Sequence, residues 1–191
     1  MSQIKIVDNR AFEECNSLKT IGENYDKLSI VGIRGFYNCN QLVCNLTLMQ
    51  ELTDLGVSAW EKCVNIITEL PEDGTLDNKT PKGLRKIDSA YVFRGCSGIS
   101  LTDFSQFESL NGKNCFANAG KGVDKLLFDG SKNYTIYQNS TDKQFTGYGN
   151  SFDLEKDISW KSGTQPQDTY QYLIDLGVDI YNRTETSSVV Y

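Results

Sequence analysis

Ala11-Phe12-Glu13-Glu14-Cys15-Asn16-Ser17-Leu18 is followed by three close copies of itself. They are Gly35-Phe36-Tyr37-Asn38-Cys39-Asn40-Gln41-Leu42, Ala59-Trp60-Glu61-Lys62-Cys63-Val64-Asn65-Ile66 and Val92-Phe93-Arg94-Gly95-Cys96-Ser97-Gly98-Ile99. The shared core is aromatic-x-x-Cys-x-x-aliphatic. A fifth copy is worn: Cys115-Phe116-Ala117-Asn118-Ala119, with Ala119 at the cysteine position. The aromatics Phe12, Phe36, Trp60, Phe93 and Phe116 follow one another at intervals of 24, 24, 33 and 23 residues. A period in the twenties is the signature of a solenoid.

The spacing carries physics as well as pattern. Aromatic and cysteine at i and i+3 share one face of a short helical turn. The aliphatic residue three further on opens an extended piece, with Cys44, Leu46 and Leu48 alternating in the second copy and Leu126-Leu127-Phe128 in the fifth. An aliphatic also precedes each aromatic by five or six residues: Ile6, Ile30, Leu55, Ile87 and Leu110. One such unit cannot bury its apolar side alone, whereas stacked units bury it as a continuous core. The expected fold is an α/β repeat solenoid of about five coils over residues 1–133, each a short helical turn plus a short parallel strand. Phe12, Cys15, Phe36, Cys39, Trp60, Cys63, Phe93, Cys96 and Phe116 are its expected structural residues.

The pattern Ile-x-x-x-Ala-Phe-x-x-Cys-x-x-Leu resembles the BspA-like class of leucine-rich repeats over roughly residues 4–128. The departures are Trp60 for Phe, Ile66 and Ile99 for Leu, and the cysteine-free fifth copy; all keep the position apolar. The resemblance implies a curved solenoid with a strand-lined face used for adhesion or protein binding. It implies no catalytic residues, and it implies a surface or secreted protein of gut or oral bacteria, or of protozoan parasites.

Composition narrows the partners. The net charge is −6 and the histidine count zero. No Lys/Arg cluster is long enough to track a phosphate backbone, which argues against nucleic acid. No run approaches the roughly 18 apolar residues of a membrane helix. The N-terminus has no apolar signal core and begins inside a repeat, as in a fragment or a subunit whose end a partner covers. Cys15, Cys39, Cys63 and Cys96 share one repeat position and are expected as a ladder of reduced, buried thiols. Neighbouring rungs point the same way, which works against disulfides. No C-x-x-C and no histidine is present for zinc, so neither metal nor cofactor is expected. Cys44 and Cys115 lie off the ladder.

The long interval of 33 residues is explained by an insertion at 71–83, where Pro71, Gly74, Asp77, Asn78 and Pro81 cluster as turn formers. It reads either as a tolerated bulge or as a binding loop on a rigid scaffold. Residues 134–191 read as a C-terminal cap or docking appendage, with a brief strand at 134–137, a helix signature from Pro166 to Gly177 and a final strand at 178–181.

With no histidine the chain has no imidazole base and no Ser-His-Asp or Cys-His pair. It carries no phosphate-binding glycine motif. Glu13-Glu14 reads as a solvated face. Five Asn-x-Ser/Thr triplets, at Asn45, Asn78, Asn133, Asn139 and Asn182, would matter in a eukaryotic secretory context. If Leu46 and Leu48 point inward, alternation turns Asn45 and Thr47 outward. By register, Thr68, Ser100, Thr102 and Lys125 join them as candidate binding residues on a nearly neutral face, where binding would depend little on salt. The alternative is that this face is merely solvated. The expected function is non-enzymatic recognition or adhesion, binding protein or glycan at a cell surface or outside the cell. The alternative is a structural or host-recognition subunit of a larger assembly, such as a virion of a phage infecting gut bacteria, touching neighbouring subunits.

Overall fold

The computed structural model describes residues 4–23, 25–120, 126–132 and 158–167. Expectations for Lys125, the strands at 134–137 and 178–181, the helix beyond Gln167, and Asn133, Asn139 and Asn182 fall outside these residues.

The described chain is a stack of short parallel strands joined by turns. Strands β1 (Ile6–Val7), β2 (Ile30–Val31) and β4 (Asp54–Leu55) form one parallel sheet in the order β1-β2-β4. Its register is Ile6↔Ile30↔Asp54 and Val7↔Val31↔Leu55, so each coil advances by 24 residues. On a second side, β3 (Cys44–Asn45) pairs with β5 (Ile66–Ile67) in parallel. Further along, β6 (Leu126–Phe128) pairs in parallel with β7 (Ile158–Trp160). The parallel stacking therefore continues past residue 133 into 158–167, where the Lys161 N–H donates to the Phe128 carbonyl (2.8 Å).

The marker of the first strand shifts by one residue. Val7 and Val31 are buried, whereas Ile6 and Ile30 are 57% and 36% exposed. Side chains alternate along a strand, and the inward residue sits five before the aromatic in coils one to three. Coils four and five carry one extra residue there, so Ile87 and Leu110 are the buried ones.

The aromatic-x-x-Cys stretch is not a helical turn. Each copy holds two left-handed residues four apart: Arg10 and Glu14 (φ 59° and 57°), Arg34 and Asn38 (54° and 57°), Ser58 and Lys62 (57° and 64°), Tyr91 and Gly95 (61° and 75°), and Asn114 and Asn118 (53° and 54°). Left-handed backbone ends a right-handed helix and costs about 1 kcal/mol or more at a non-glycine residue. What offsets it is a ladder between coils. The N–H groups of Arg10, Phe12 and Glu14 donate to the carbonyls of Ile33, Gly35 and Tyr37 (2.8, 2.9 and 2.8 Å). Arg34, Phe36 and Asn38 repeat this toward Val57, Ala59 and Glu61, and Tyr91, Phe93 and Gly95 toward Lys113, Cys115 and Ala117. Donors a helix would spend internally are spent on the neighbouring coil. Among the described residues the one helical segment is a 3₁₀ turn at Leu46–Leu48.

The core runs along the stack axis. Phe12 stacks on Phe36 (5.2 Å between centroids, 5° between planes), Phe36 on Trp60 (4.4 Å, 20°) and Phe93 on Phe116 (5.6 Å, 21°). Phe104, Phe107 and Phe128 make a second aromatic cluster off the repeat position. Phe36, Trp60, Phe93 and Phe116 are fully buried; Phe12 and Cys15, in the outermost described coil, are half-buried.

All six cysteines are free thiols. The ladder thiols point back at the preceding coil: Cys39, Cys63 and Cys96 donate to the carbonyls of Phe12, Phe36 and Trp60 (2.9, 2.8 and 2.9 Å). Each of these carbonyls also accepts its own coil's cysteine N–H. The cysteine is thus a small apolar residue that also carries a donor for the carbonyl's second lone pair. Cys44 faces the core from β3, and Cys115 fills the position that Ala59 and Val92 occupy in other coils.

Candidate functional site

A second ladder governs the strand-lined side. Asn45, Asn78, Asp103 and Asp129 each accept, through Oδ1, the N–H of the Ser or Thr two residues on: Thr47, Thr80, Ser105 and Ser131 (3.1, 2.9, 2.8 and 3.0 Å). Such Asx turns mimic a backbone turn. They bend four successive coils, from the second to the fifth, and the Thr hydroxyls tie the coils together. Thr47 Oγ1 donates to the Lys79 carbonyl (2.8 Å) and Thr80 Oγ1 to the Asp103 carbonyl (2.9 Å).

This ladder corrects the expected binding face. The Asn45 side chain caps the 3₁₀ turn, so β3 stops at Asn45 and the strict alternation ends there. Thr47 is fully buried as a consequence. Thr68 is fully buried as well, because β5 pairs Cys44 with Ile66 and so aligns Thr68 with the inward Leu46. Its hydroxyl lies 3.1 Å from that of Ser100 and accepts the Ser100 N–H (2.6 Å). Ser100 is half-buried and also takes the Lys79 ammonium (3.0 Å). Asn45 is half-buried, its amide donating to the Glu69 carbonyl (2.8 Å) and its Oδ1 accepting the Glu69 N–H (3.1 Å). Thr102 is exposed. The triplets at Asn45 and Asn78 thus have a role in the fold itself, and the Asn78 amide donates to Asp103 Oδ2 (2.8 Å).

The 71–83 stretch divides in the same light. Residues 70–77 bulge from the coil, whereas Thr80 and Pro81 are buried and rejoin the core ahead of Leu84. Glu69 marks one root, held by Asn45, and Asn78 the other.

Beside this ladder lies an open groove of about 600 Å³ that crosses four coils. Val43, Val64, Asn65, Ile67, Ser97, Gly98 and Gly120 line it. Val43 and Val64 are 55% and 40% exposed, large apolar side chains turned to solvent. Gly98 keeps the floor low, since a Cβ there would collide with the Ile66 carbonyl. Val64, Asn65, Ser97 and Gly98 lie within the repeat copies at positions the pattern leaves free, and Val43, Ile67 and Gly120 lie outside them; the available signal is the outward alternation of Val43 and Ile67 around buried Cys44 and Ile66.

On another side, charge is paired from coil to coil. Arg34 binds Glu13 (2.8 Å) and Arg94 binds the buried Glu61 through Nε (2.9 Å) and Nη2. The guanidiniums of Arg34 and Arg94 lie over the rings of Tyr37 and Tyr91 (4.8 and 4.5 Å). These are clamps between neighbours; Glu13, expected on a solvated face, is half-buried by its own.

No group of three or more His, Cys, Asp or Glu able to hold a metal occurs among the described residues. Burial pushes the Cys44 thiol up to about 12 and raises Cys96 and Cys115 as well. Cys63 is raised by the adjacent Cys39 thiol and by burial. Thiols so raised are poor nucleophiles. Among the described residues no helix is long and apolar enough to cross a membrane.

Nothing among curated proteins or solved structures matches the chain. The family model for the BspA type leucine rich repeat region matches residues 1–119 in six copies, one more than the aromatic positions alone mark out. That match covers well over half of the chain and coincides with the stacked coils; the chain belongs to the BspA-type leucine-rich repeat family.

Proposed function

We propose that the chain is a non-enzymatic recognition module of a surface-associated or secreted bacterial protein, and that it binds a protein partner through the groove across its strand-lined side. Repeats of this family are generally surface- and adhesion-associated modules. The observation that carries the reading is the groove itself: Val43 and Val64 both stand exposed along it on a rigid scaffold, whereas the exposed Ile6, Ile30, Ile33 and Val57 do not line it. Contiguous exposed apolar surface rimmed by polar residues marks interaction sites. Among the described residues the lining is three aliphatics with Asn65, Ser97 and two glycines, without an aromatic platform on which a sugar ring would stack, which favours protein over glycan. No observation favours the virion-subunit alternative.

The test is adherence of protein-coated beads to bacterial and epithelial cell layers, comparing the parent chain with Val64→Asp. The charge sits on an exposed residue, so melting should be unchanged within about 1 kcal/mol. Retention should fall to the level of uncoated beads. Equal retention by an equally stable Val64→Asp would move recognition to another face.

A further inference from the structure

The chain that leaves the groove at Ile67 gives that rim an acidic character. Ile67 lines the groove, and Glu69, two residues past the end of β5, is exposed beyond the buried Thr68. Glu69 is pinned there through both its N–H and its carbonyl by the Asn45 side chain. The bulge that follows carries Glu72, Asp73 and Asp77, all exposed, before Lys79 returns the chain to the core with its ammonium on Ser100. From 69 to 79 there are four acids against one lysine. Leu70, at the base of this loop, is 42% exposed.

Resting on the reading of the groove as the recognition surface, we infer that its occupant is a polypeptide segment with a short aliphatic run flanked by lysine or arginine. The aliphatic run would cover Val43, Val64 and Ile67, and the basic flank would meet the acids of the 69–77 loop. The two features select for different parts of one ligand. An acidic or neutral segment would leave the rim unmatched, and a purely basic one would leave the valines in water. Like charges brought together across an interface disfavour the wrong partner, and opposite charges raise the encounter rate. The loop insertion thereby acquires a role in specificity. This departs from the salt-independent binding expected of a neutral threonine face.

The test uses three fluorescein-labelled peptides on the full chain: a Val-Leu-Val centre flanked by lysine pairs, the same centre flanked by glutamate pairs, and a Ser-Ser-Ser centre flanked by lysine pairs. Anisotropy gives affinity, and methyl NMR of Val43, Val64 and Ile67 locates the peptide. The lysine-flanked aliphatic peptide should bind about tenfold or more tightly than either control, a difference of one well-matched charge or apolar contact each. Its affinity should drop severalfold between low and physiological salt. Glu72→Lys with Asp77→Lys should reverse the preference between lysine and glutamate flanks while leaving melting unchanged. Equal binding of the lysine-flanked serine peptide, or methyl resonances that stay still at saturation, would overturn the inference. If the methyls stay still but bead adherence still depends on Val64, the recognition reading survives and the basic-aliphatic partner falls. If adherence is also indifferent to Val64, both fall.

Discussion

At the scale of the residue, one position in the repeat does two jobs. Cys39, Cys63 and Cys96 each fill a small apolar site and supply the S–H that the preceding aromatic carbonyl accepts. Cys63→Ala should therefore cost about 1–2 kcal/mol, part lost packing and part a buried carbonyl left with one donor fewer. Denaturant titration would check it. A loss below about 0.5 kcal/mol would remove the S–H bond from the account. Trp60 presents the opposite case. Its indole N–H is buried, with no hydrogen-bond partner among the described residues, at a position where every other copy has Phe. An unsatisfied buried donor costs about 1–3 kcal/mol. Trp60→Phe forfeits some ring contact with Phe36 but removes that orphan, so stability should change by no more than about 1 kcal/mol. A much larger loss would mean that the N–H has an acceptor after all.

At the scale of the element, the Asx turns decide where a strand ends. Asp129 closes β6 by accepting from the Ser131 hydroxyl and N–H, and it lies 3.5 Å from Lys161 on the next coil and 4.0 Å from Lys132. The Ser131 hydroxyl chiefly, with the lysines adding to it, holds the Asp129 carboxyl below its usual range. A carboxyl with a depressed folded pKa contributes stability that is fully present above its unfolded pKa and is lost as pH falls through the folded one. Asp129→Asn should thus be less stable than the parent at neutral pH, and the gap should close as pH drops below about 4. Chemical denaturation at a series of pH values would show it. A gap that stays constant through the acid range would mean that the carboxylate's charge contributes nothing.

At the scale of the molecule, stability is distributed over coils and the interfaces between them. Phe36 sits between Phe12 and Trp60, so Phe36→Ala opens two interfaces at once and should cost about 3–5 kcal/mol. Because nearest-neighbour interfaces set the cooperativity of a solenoid, its melt should also broaden or split. Calorimetry that returned a single sharp transition with a loss below about 1 kcal/mol would place Phe36 outside the stack.

Much of this architecture was legible in the sequence because the stacked aromatics and thiols repeat one chemistry at one interval. The same positions misled about local shape. Phe and Cys at i and i+3 fit a helical turn, but the residues that break it, Arg10, Glu14, Arg34 and Lys62, are not turn formers by type. Their left-handed backbone is imposed by the ladder to the next coil, a long-range cause that local spacing does not carry. The binding face was read one step out of place for a related reason. The β3–β5 register advances by 22 residues, an even step that sets Thr68 beside the inward Leu46, whereas a face shared with Asn45 and Thr47 requires an odd step. The Asx ladder has no single-letter signature, because it uses Asn in its first two rungs and Asp in the next two, and the 70–77 bulge breaks its spacing.

The ladder between coils is the feature on which all of this depends, and through-hydrogen-bond scalar coupling between amide nitrogen and carbonyl carbon reads it directly. The stack predicts cross-peaks from Phe12 N to Gly35 C′, Phe36 N to Ala59 C′, Trp60 N to Val92 C′ and Phe93 N to Cys115 C′. Couplings from these amides to carbonyls four residues earlier in the same coil, such as Phe36 N to Gly32 C′, would mark helical turns and contradict it.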